Sequence, residues 1–287
     1  MNYRLAVGLS ALLLMISVQP FAAAARIGGW DPVRGGHGSI VNGMDFNSVR
    51  ADLATLFPSS TVSPTSQLTA SYLDSVDVLL LDPVFNVFNV EVTPLTSSEQ
   101  VALKTWVLQG GRALIIAENP SYNAASRSFV EPFGLQVGSQ SLSGLRSGVI
   151  TDATSFASIT SGPYGVVSSF QGGFATWFTQ TSVANVLGTW SSGGAAIAAM
   201  KYGQGSVVFF ADVAFIANYH GANNTKLRRN TLNYLINVPE PTTPSLMMTP
   251  SALLLFSWLQ RVRRRGTINY YSRQTTRLTQ RISWQLV

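Results

Sequence analysis

The sequence of 287 residues contains no cysteine and only two histidines, His37 and His220. Without a thiol, the chain has no cysteine nucleophile, no cysteine-ligated metal site and no thiol redox motif. Two histidines are also too few for a histidine-rich metal site, and both lie in glycine-containing stretches typical of turns. We therefore expect neither a metal ion nor a cofactor.

The globular part of the chain lacks an excess of basic charge, although the whole chain has 19 Lys and Arg against 13 Asp and Glu. Residues 1–238 contain 12 basic and 12 acidic side chains. The remaining residues contain seven arginines and one glutamate, which accounts for the net charge of +6. Nucleic-acid binding requires basic side chains clustered on a folded face. Here the cluster lies beside an apolar run, so we expect no nucleic-acid partner.

The N-terminus carries the pattern of a secretory signal peptide in residues 1–25. Arg4 precedes an apolar run over residues 5–18, and small residues at positions 22–25 provide a cleavage site before Arg26. This pattern predicts recognition by Sec-type export machinery and a signal peptidase. The alternative is an uncleaved membrane anchor, but the run is shorter than the ~20 residues that a spanning helix needs.

Residues 26–237 alternate between strand-like and helix-like segments. Residues 76–81, 112–117 and 206–210 are largely apolar and predict strands buried on both faces, with 195–199 pairing beside the last of them. Between them, the spacing of apolar residues predicts helices at 47–57, after Thr96 and at 224–236. Such alternation predicts an α/β domain with a mostly parallel sheet covered by helices on both sides.

Two of these helices carry more detailed expectations. Thr96 and Glu99 have the spacing of a capping box, and the stripe that follows comprises Val101, Leu103, Trp106 and Val107. In the helix at 224–236, four side chains are expected inward and three outward. The inward residues are Leu227, Leu232, Leu235 and Ile236, and the outward ones are Lys226, Arg228 and Arg229. Residues 138–195, rich in Gly, Ser and Thr, predict short strands and loops inserted into the sheet unit.

Three pieces of this body resemble the class I glutamine amidotransferase-like superfamily, which has a flavodoxin-like fold. They are VDVLLLDP at 76–83 with the capped helix and strand over 95–119, ITSGPYG at 159–165, and the last strand, acidic loop and helix over 202–237. The resemblance implies a three-layer α/β sandwich. The enzymes of this superfamily use a cysteine nucleophile, and this chain has none. The resemblance therefore implies the fold but not the amidotransferase reaction.

Glu118 and Asp212 are the best candidate site residues that remain. Each follows a predicted parallel strand, at the edge where open α/β sheets bind ligands. The pair could bind a sugar hydroxyl or a cation, act as an acid and a base, or simply fix loops through backbone amides. A triad of Ser121, His220 and Asp212 is a weaker hypothesis, because the sequence around Ser121 lacks the G-x-S-x-G elbow.

The C-terminal part resembles the PEP-CTERM sorting signal of exopolysaccharide-producing Gram-negative bacteria, over residues 238–265. The motif is formed by Val238, Pro239, Glu240 and Pro241; the apolar, membrane-spanning segment covers 246–259; the basic end is formed by Arg261, Arg263, Arg264 and Arg265. The resemblance implies transient contact with the inner membrane and removal of the tail by an exosortase. The polar, Arg-containing extension at 266–287 departs from the pattern, and a permanent anchor is the alternative.

These features together predict an exported protein that ends at the cell surface or in the polysaccharide matrix. The first hypothesis is a non-catalytic binding or structural module, with extracellular polysaccharide as its partner. The second is an exported hydrolase of glycans or esters that uses Glu118, Asp212 or Ser121.

Overall fold

The computed structural model of the chain describes residues 24–86, 88–217 and 221–237. All of these residues belong to one compact unit, Met1–Glu240. The predicted signal peptide up to residue 23, the sorting motif, the apolar segment at 246–259 and the arginine cluster lie outside the described residues. Within the described ranges, no helix is long and apolar enough to cross a membrane.

The described residues alternate strands and helices along the chain. The strands are β1 Arg26–Trp30, β2 Thr61–Thr65, β3 Val78–Leu81, β4 Val84–Asn86, β5 Val90–Glu91, β6 Arg112–Ile116, β7 Gln136–Val137, β8 Leu142–Ile150, β9 Ser161–Gly162, β10 Gly165–Val166, β11 Ser169–Ala175, β12 Phe178–Thr179, β13 Asn185–Trp190, β14 Ala195–Tyr202 and β15 Gly205–Phe210. The α-helices are α1 Pro32–Gly35, α2 Asn47–Leu56, α3 Ala70–Leu73, α4 Ser97–Leu108, α5 Asn123–Val130, α6 Ala157–Thr160 and α7 Gly221–Asn237.

Eleven of these strands form one mixed sheet, in the order β11-β8-β13-β14-β15-β6-β3-β1-β2 with β7 and β12 attached beside β14. The end of the sheet that runs from β15 to β2 is parallel throughout. Its strands lie side by side in the order β2, β1, β3, β6, β15. Renumbered one to five along the chain, this order is 2-1-3-4-5, a doubly wound arrangement with a topological switch point between β1 and β3. The chain is therefore an α/β protein, and β6 and β15 are interior strands as predicted.

The other end of the sheet is antiparallel, so the expectation of a mostly parallel sheet is correct for one end only. The predicted insertion supplies these strands: β8, β11 and β13 pair antiparallel and extend the same sheet through β14. In β11, residues 169–173 alternate between half-buried and buried, which suits a strand that buries one face, whereas β8 beside it is mostly exposed. The insertion thus widens the sheet instead of forming a separate layer.

Helices cover both faces of the parallel end because its strands alternate apolar side chains between two cores. Val78 and Leu80 join the core beneath α2 and α7, and Leu79 and Leu81 join the core beneath α3, α4 and α5. This two-sided burial explains the continuous apolar runs in the sequence.

The capping box predicted for α4 is present. The hydroxyl oxygen of Thr96 accepts a hydrogen bond from the amide of Glu99, and the Glu99 carboxylate accepts one from the amide of Thr96 at 2.9 Å. Glu99 is also buried against Arg34, with which it forms an ion pair. One residue of the predicted apolar stripe is misplaced, since Val101 is 65% exposed and lies on the solvent side of the helix.

The outward placement predicted for the basic residues of α7 is wrong for Arg228. Its side chain is 4% exposed, and Nε donates to Asp52 of α2 at 2.7 Å. Arg229 donates to the other oxygen of Asp52 at 2.9 Å, with its side chain 40% exposed. Two guanidinium groups therefore hold one buried carboxylate and fasten α7 to α2.

Candidate functional site

Four buried carboxyl groups gather at the carboxyl ends of the parallel strands. Asp82 follows β3, Glu118 follows β6 and Asp212 follows β15, while Asp45 comes from the segment after β1. Asp82 and Asp212 have no exposed surface, Glu118 is 3% exposed and Asp45 is 5% exposed. This is the edge at which doubly wound sheets bind ligands, and the cluster adjoins the switch point between β1 and β3.

Glu118 and Asp212, the two residues proposed from the sequence, both reach this edge and both hold loops. Glu118 Oε1 accepts from the Asn119 amide at 2.8 Å, and Oε2 accepts from the Val213 amide at 3.1 Å. Asp212 Oδ1 accepts from the Ala214 amide and Oδ2 from the Gly173 amide, each at 2.6 Å. All four oxygens therefore bind backbone, and Glu118 ties the loop after β6 to the loop after β15.

The other two carboxyl groups keep an oxygen without a hydrogen-bond partner among the described residues. Asp82 Oδ1 accepts from the Val84 amide at 2.9 Å, whereas Oδ2 is buried and unpartnered. Asp45 Oδ2 is likewise buried and unpartnered, as is Nδ1 of His37, whose carbonyl accepts from the Asp45 amide at 3.2 Å. These three buried atoms are therefore left without a hydrogen bond within the described part of the chain.

Burial makes the charged forms of the four groups costly. Removal from water raises the pKa of Glu118 from 4.5 to about 7 and that of Asp45 from 3.8 to about 6. Burial, with added repulsion from Asp45, raises the pKa of Asp82 well above its ordinary value. Burial, with repulsion from Glu118, raises the pKa of Asp212 in the same way. Part of the cluster is therefore protonated at neutral pH, and its carboxyl groups can donate as well as accept hydrogen bonds.

The hypothetical serine triad is not assembled by the described residues. Ser121 is exposed in the 3₁₀ turn Pro120–Tyr122, and its amide donates to Asn119 Oδ1 at 3.0 Å. Both oxygens of Asp212 are bound to amides, and His220 lies outside the described residues. The hydroxyl beside Glu118 belongs to Ser126, whose Oγ accepts from the Glu118 amide at 3.1 Å. The triad therefore stays a hypothesis from the sequence, and the position of Ser121 does not support it.

A strained aromatic residue stands beside Asp212. Phe174 has φ of 58°, a conformation that bulky residues rarely adopt, and its side chain is 62% exposed. It occupies the bulge between Gly173 and Ala175, where the Gly173 amide is fixed by Asp212. A Cβ at Gly172 would lie 2.2 Å from Asp212 Oδ2, so glycine is required there for the carboxylate to approach.

No arrangement of three or more Asp, Glu or His side chains suited to a metal ion occurs in the described part of the chain. The unpartnered oxygens of Asp45 and Asp82 are buried, so each can accept a hydrogen bond when ionised or donate one when it carries the acid proton. The sequence contained a signal for Asp82, since it directly follows a buried strand just as Glu118 and Asp212 do. Asp45 and the unpartnered nitrogen of His37 had no comparable signal.

Comparison with known proteins gives a likeness of fold. No family model matches the sequence, and no curated protein matches it. A solved structure described as the mmIFT52 N-terminal domain superposes with a TM-score of 0.57 at 12% identity, covering 74% of this chain and 98% of that one. The fold alone is shared.

Two further solved structures fall below the similarity at which fold can be argued. One is described as a GMP synthase protein from Thermoplasma acidophilum, with a TM-score of 0.48, 12% identity and coverage of 74% and 94% of the two chains. The other is described as a ThuA-like protein from Bacteroides uniformis, with a TM-score of 0.48, 13% identity and coverage of 76% and 92%.

Proposed function

We propose that this chain is an exported, non-catalytic binding or structural module of the cell surface or the polysaccharide matrix. Its body is a three-layer, class I glutamine amidotransferase-like domain over residues 26–237. A Sec-type signal peptide at 1–25 directs export, and a signal peptidase removes it. The tail at 238–265 contacts the inner membrane until an exosortase cleaves it, and the body binds no nucleic acid.

The observation that carries the non-catalytic role is how Glu118 and Asp212 use their oxygens. All four accept hydrogen bonds from backbone amides, so both carboxylates fix loops at the ligand edge. A sequence without cysteine has no thiolate to form the acyl-enzyme of an amidotransferase. Both points support a domain that binds a ligand without converting it.

The runner-up, an exported hydrolase of glycans or esters, is favoured by one observation. A carboxyl group with a pKa of about 7, such as that of Glu118, suits a general acid or base at neutral pH. A hydrolase would require Glu118 to exchange a proton with substrate despite its two loop contacts.

The two functions separate in one experiment on the secreted protein. The purified protein is incubated with a panel of bacterial polysaccharides, and retention in affinity gels is measured beside release of reducing ends and of ester-linked groups. We expect retention without release. Release that is lost in Glu118→Gln and kept in Glu131→Gln, an exposed control in the 3₁₀ turn after α5, would establish the hydrolase. Absence of both retention and release across the panel would remove the binding role.

A further inference from the structure

A cavity of about 580 Å³ opens at the edge of the sheet opposite the carboxyl cluster. Lys201 lies in its wall and pairs with Ser206 of β15, next to the first residue of that parallel strand. Helices α6 and α7, strands β13 and β14, the residues just before α6 and the turn before β13 contribute the remaining wall. Its volume is in the range of small-molecule sites, and it shares no residue with the carboxyl cluster.

Tyr234 of α7 is a wall residue with an unsatisfied polar atom. The residue is 5% exposed, and its hydroxyl is buried with no hydrogen-bond partner among the described residues. Its ring is fixed by an edge-on contact with Phe156 at 5.7 Å between centroids. A buried hydroxyl without a partner costs folding free energy, and a ligand in the cavity can supply the missing partner.

The charge of the wall is positive. Of the described residues that line the cavity, Lys201 alone carries a charge, and its ammonium lies 5.3 Å from the centre of the Tyr234 ring. Asp152 is the nearest acid in sequence to the α6 wall, but its Oδ1 already accepts from Thr154 and from the Ser155 amide. A single cation at the cavity favours a ligand group with a single negative charge, whereas a phosphate carries nearly two.

The rest of the wall suits a hydroxylated ligand with an apolar face. Ser155, Ser158 and Asn185 provide side-chain donors and acceptors. Phe156, Val183 and Met200 provide apolar surface beside them. A pocket with apolar walls and a few polar groups fixes the orientation of a small molecule by its hydroxyls.

We propose that this cavity binds a small hydroxylated carboxylate of the sugar-acid class. The Lys201 ammonium pairs with the carboxylate, and the Tyr234 hydroxyl becomes hydrogen-bonded to the ligand. Ser155, Ser158 and Asn185 contact the hydroxyl groups of the ligand. The apolar face of the sugar ring lies against Phe156 and Met200. This site is independent of the function proposed for the carboxyl edge, because it needs neither Glu118 nor Asp212.

Calorimetric titration of the secreted protein with sodium glucuronate tests the site, with glucose and inorganic phosphate as comparison ligands. We expect glucuronate to bind at least tenfold more tightly than either. Lys201→Gln should lose at least tenfold in affinity. Lys104→Gln is the matched control, because the Lys104 ammonium lies 5.8 Å from the ring of Tyr202, in the same kind of contact but outside the cavity. It should bind as the wild type does.

Tyr234→Phe separates binding from folding. The variant keeps the ring contact with Phe156 and removes the unpartnered hydroxyl, so its melting temperature should stay equal or rise while glucuronate affinity falls at least threefold. Tighter binding of phosphate or equal binding of glucose would overturn the sugar-acid assignment. Undetectable glucuronate binding, or full affinity in Lys201→Gln, would overturn the site itself.

Discussion

Raising the pH from 4.5 to 8 is expected to destabilise the folded body, because the buried carboxyl groups hold protons that the unfolded chain releases. Unfolded Glu118 ionises near pH 4.5, whereas folded Glu118 ionises near pH 7. Between these values the folded state binds more protons than the unfolded state, so the free energy of unfolding falls as pH rises. Asp45 acts in the same direction between 3.8 and about 6.

The size of the effect follows from the two ionisation points of Glu118. Each tenfold change in a proton-dissociation constant corresponds to about 1.4 kcal/mol, so the difference between 4.5 and about 7 gives roughly 3 kcal/mol from this residue. Asp45, Asp82 and Asp212 add losses of the same sign. Glu99, whose pKa is lowered to about 2 by its contacts with Arg34 and backbone amides, changes charge below this window and leaves the trend intact.

The assay is equilibrium unfolding in guanidinium chloride at constant salt and pH 5, 6, 7 and 8, followed by tryptophan fluorescence. We expect the free energy of unfolding to decrease by about 3 kcal/mol or more over this range. Glu118→Gln should be less stable than wild type at pH 5, because an amide can accept at only one of the two loop contacts that Glu118 makes.

The same variant supplies the decisive comparison, because glutamine has no proton to lose. Its stability should depend less on pH, and the difference from wild type should shrink or reverse above pH 7. A wild-type stability that increases from pH 5 to 8 would refute the reasoning. So would a Glu118→Gln profile parallel to that of the wild type.

Three further predictions concern other parts of the chain. Arg228→Met should lower the free energy of unfolding by about 3 kcal/mol, because Asp52 stays buried with one of its two guanidinium partners gone. Arg127→Met, at an exposed ion pair, should lower it by less than about 1 kcal/mol. Equal losses in denaturant unfolding would contradict the importance of the buried ion pair. Phe174→Gly should raise the free energy of unfolding by about 1 kcal/mol by relieving the positive φ, and a melting temperature below that of the wild type would show that the strain is absent. Intact mass should show a chain that ends near the Pro-Glu-Pro triplet, without the residues after Val238, in a host that has an exosortase, and the full tail in a host that lacks it. A full C-terminus in both hosts would exclude sorting.

Sequence patterns were sufficient to predict the interior strands β6 and β15. A strand buried on both faces needs a continuous apolar run, which few other structures require. They were also sufficient for the start of α4, where Thr96 and Glu99 interact within one helical turn. Local spacing carries such information. The insertion was predicted to lie within the sheet unit, but the order and direction of β8, β11 and β13 were not, because strand pairing between distant segments leaves no local pattern.

Arg228 shows the limit of the sequence most clearly. It belongs to a group of three basic residues on α7 with Lys226 and Arg229, which is the pattern of a solvated face, and its partner Asp52 is 176 residues away. The candidate site divides in the same way. Glu118 and Asp212 were predicted at the carboxyl edge from strand positions, but the completion of the cluster by Asp45 depends on how the segment after β1 folds back.

The position of β15 determines when the sheet can form. Residues 205–210 lie between β6 and β14, and they join the parallel end to the antiparallel end. A nascent chain that has emerged only as far as β14 can pair β13 with β14 but has no strand to fill the gap beside β6. Each half would then expose an unpaired strand edge to other chains. Among the described strands β15 is the last in the chain and the one that closes the sheet, so the complete sheet can fold only when nearly the whole body is available.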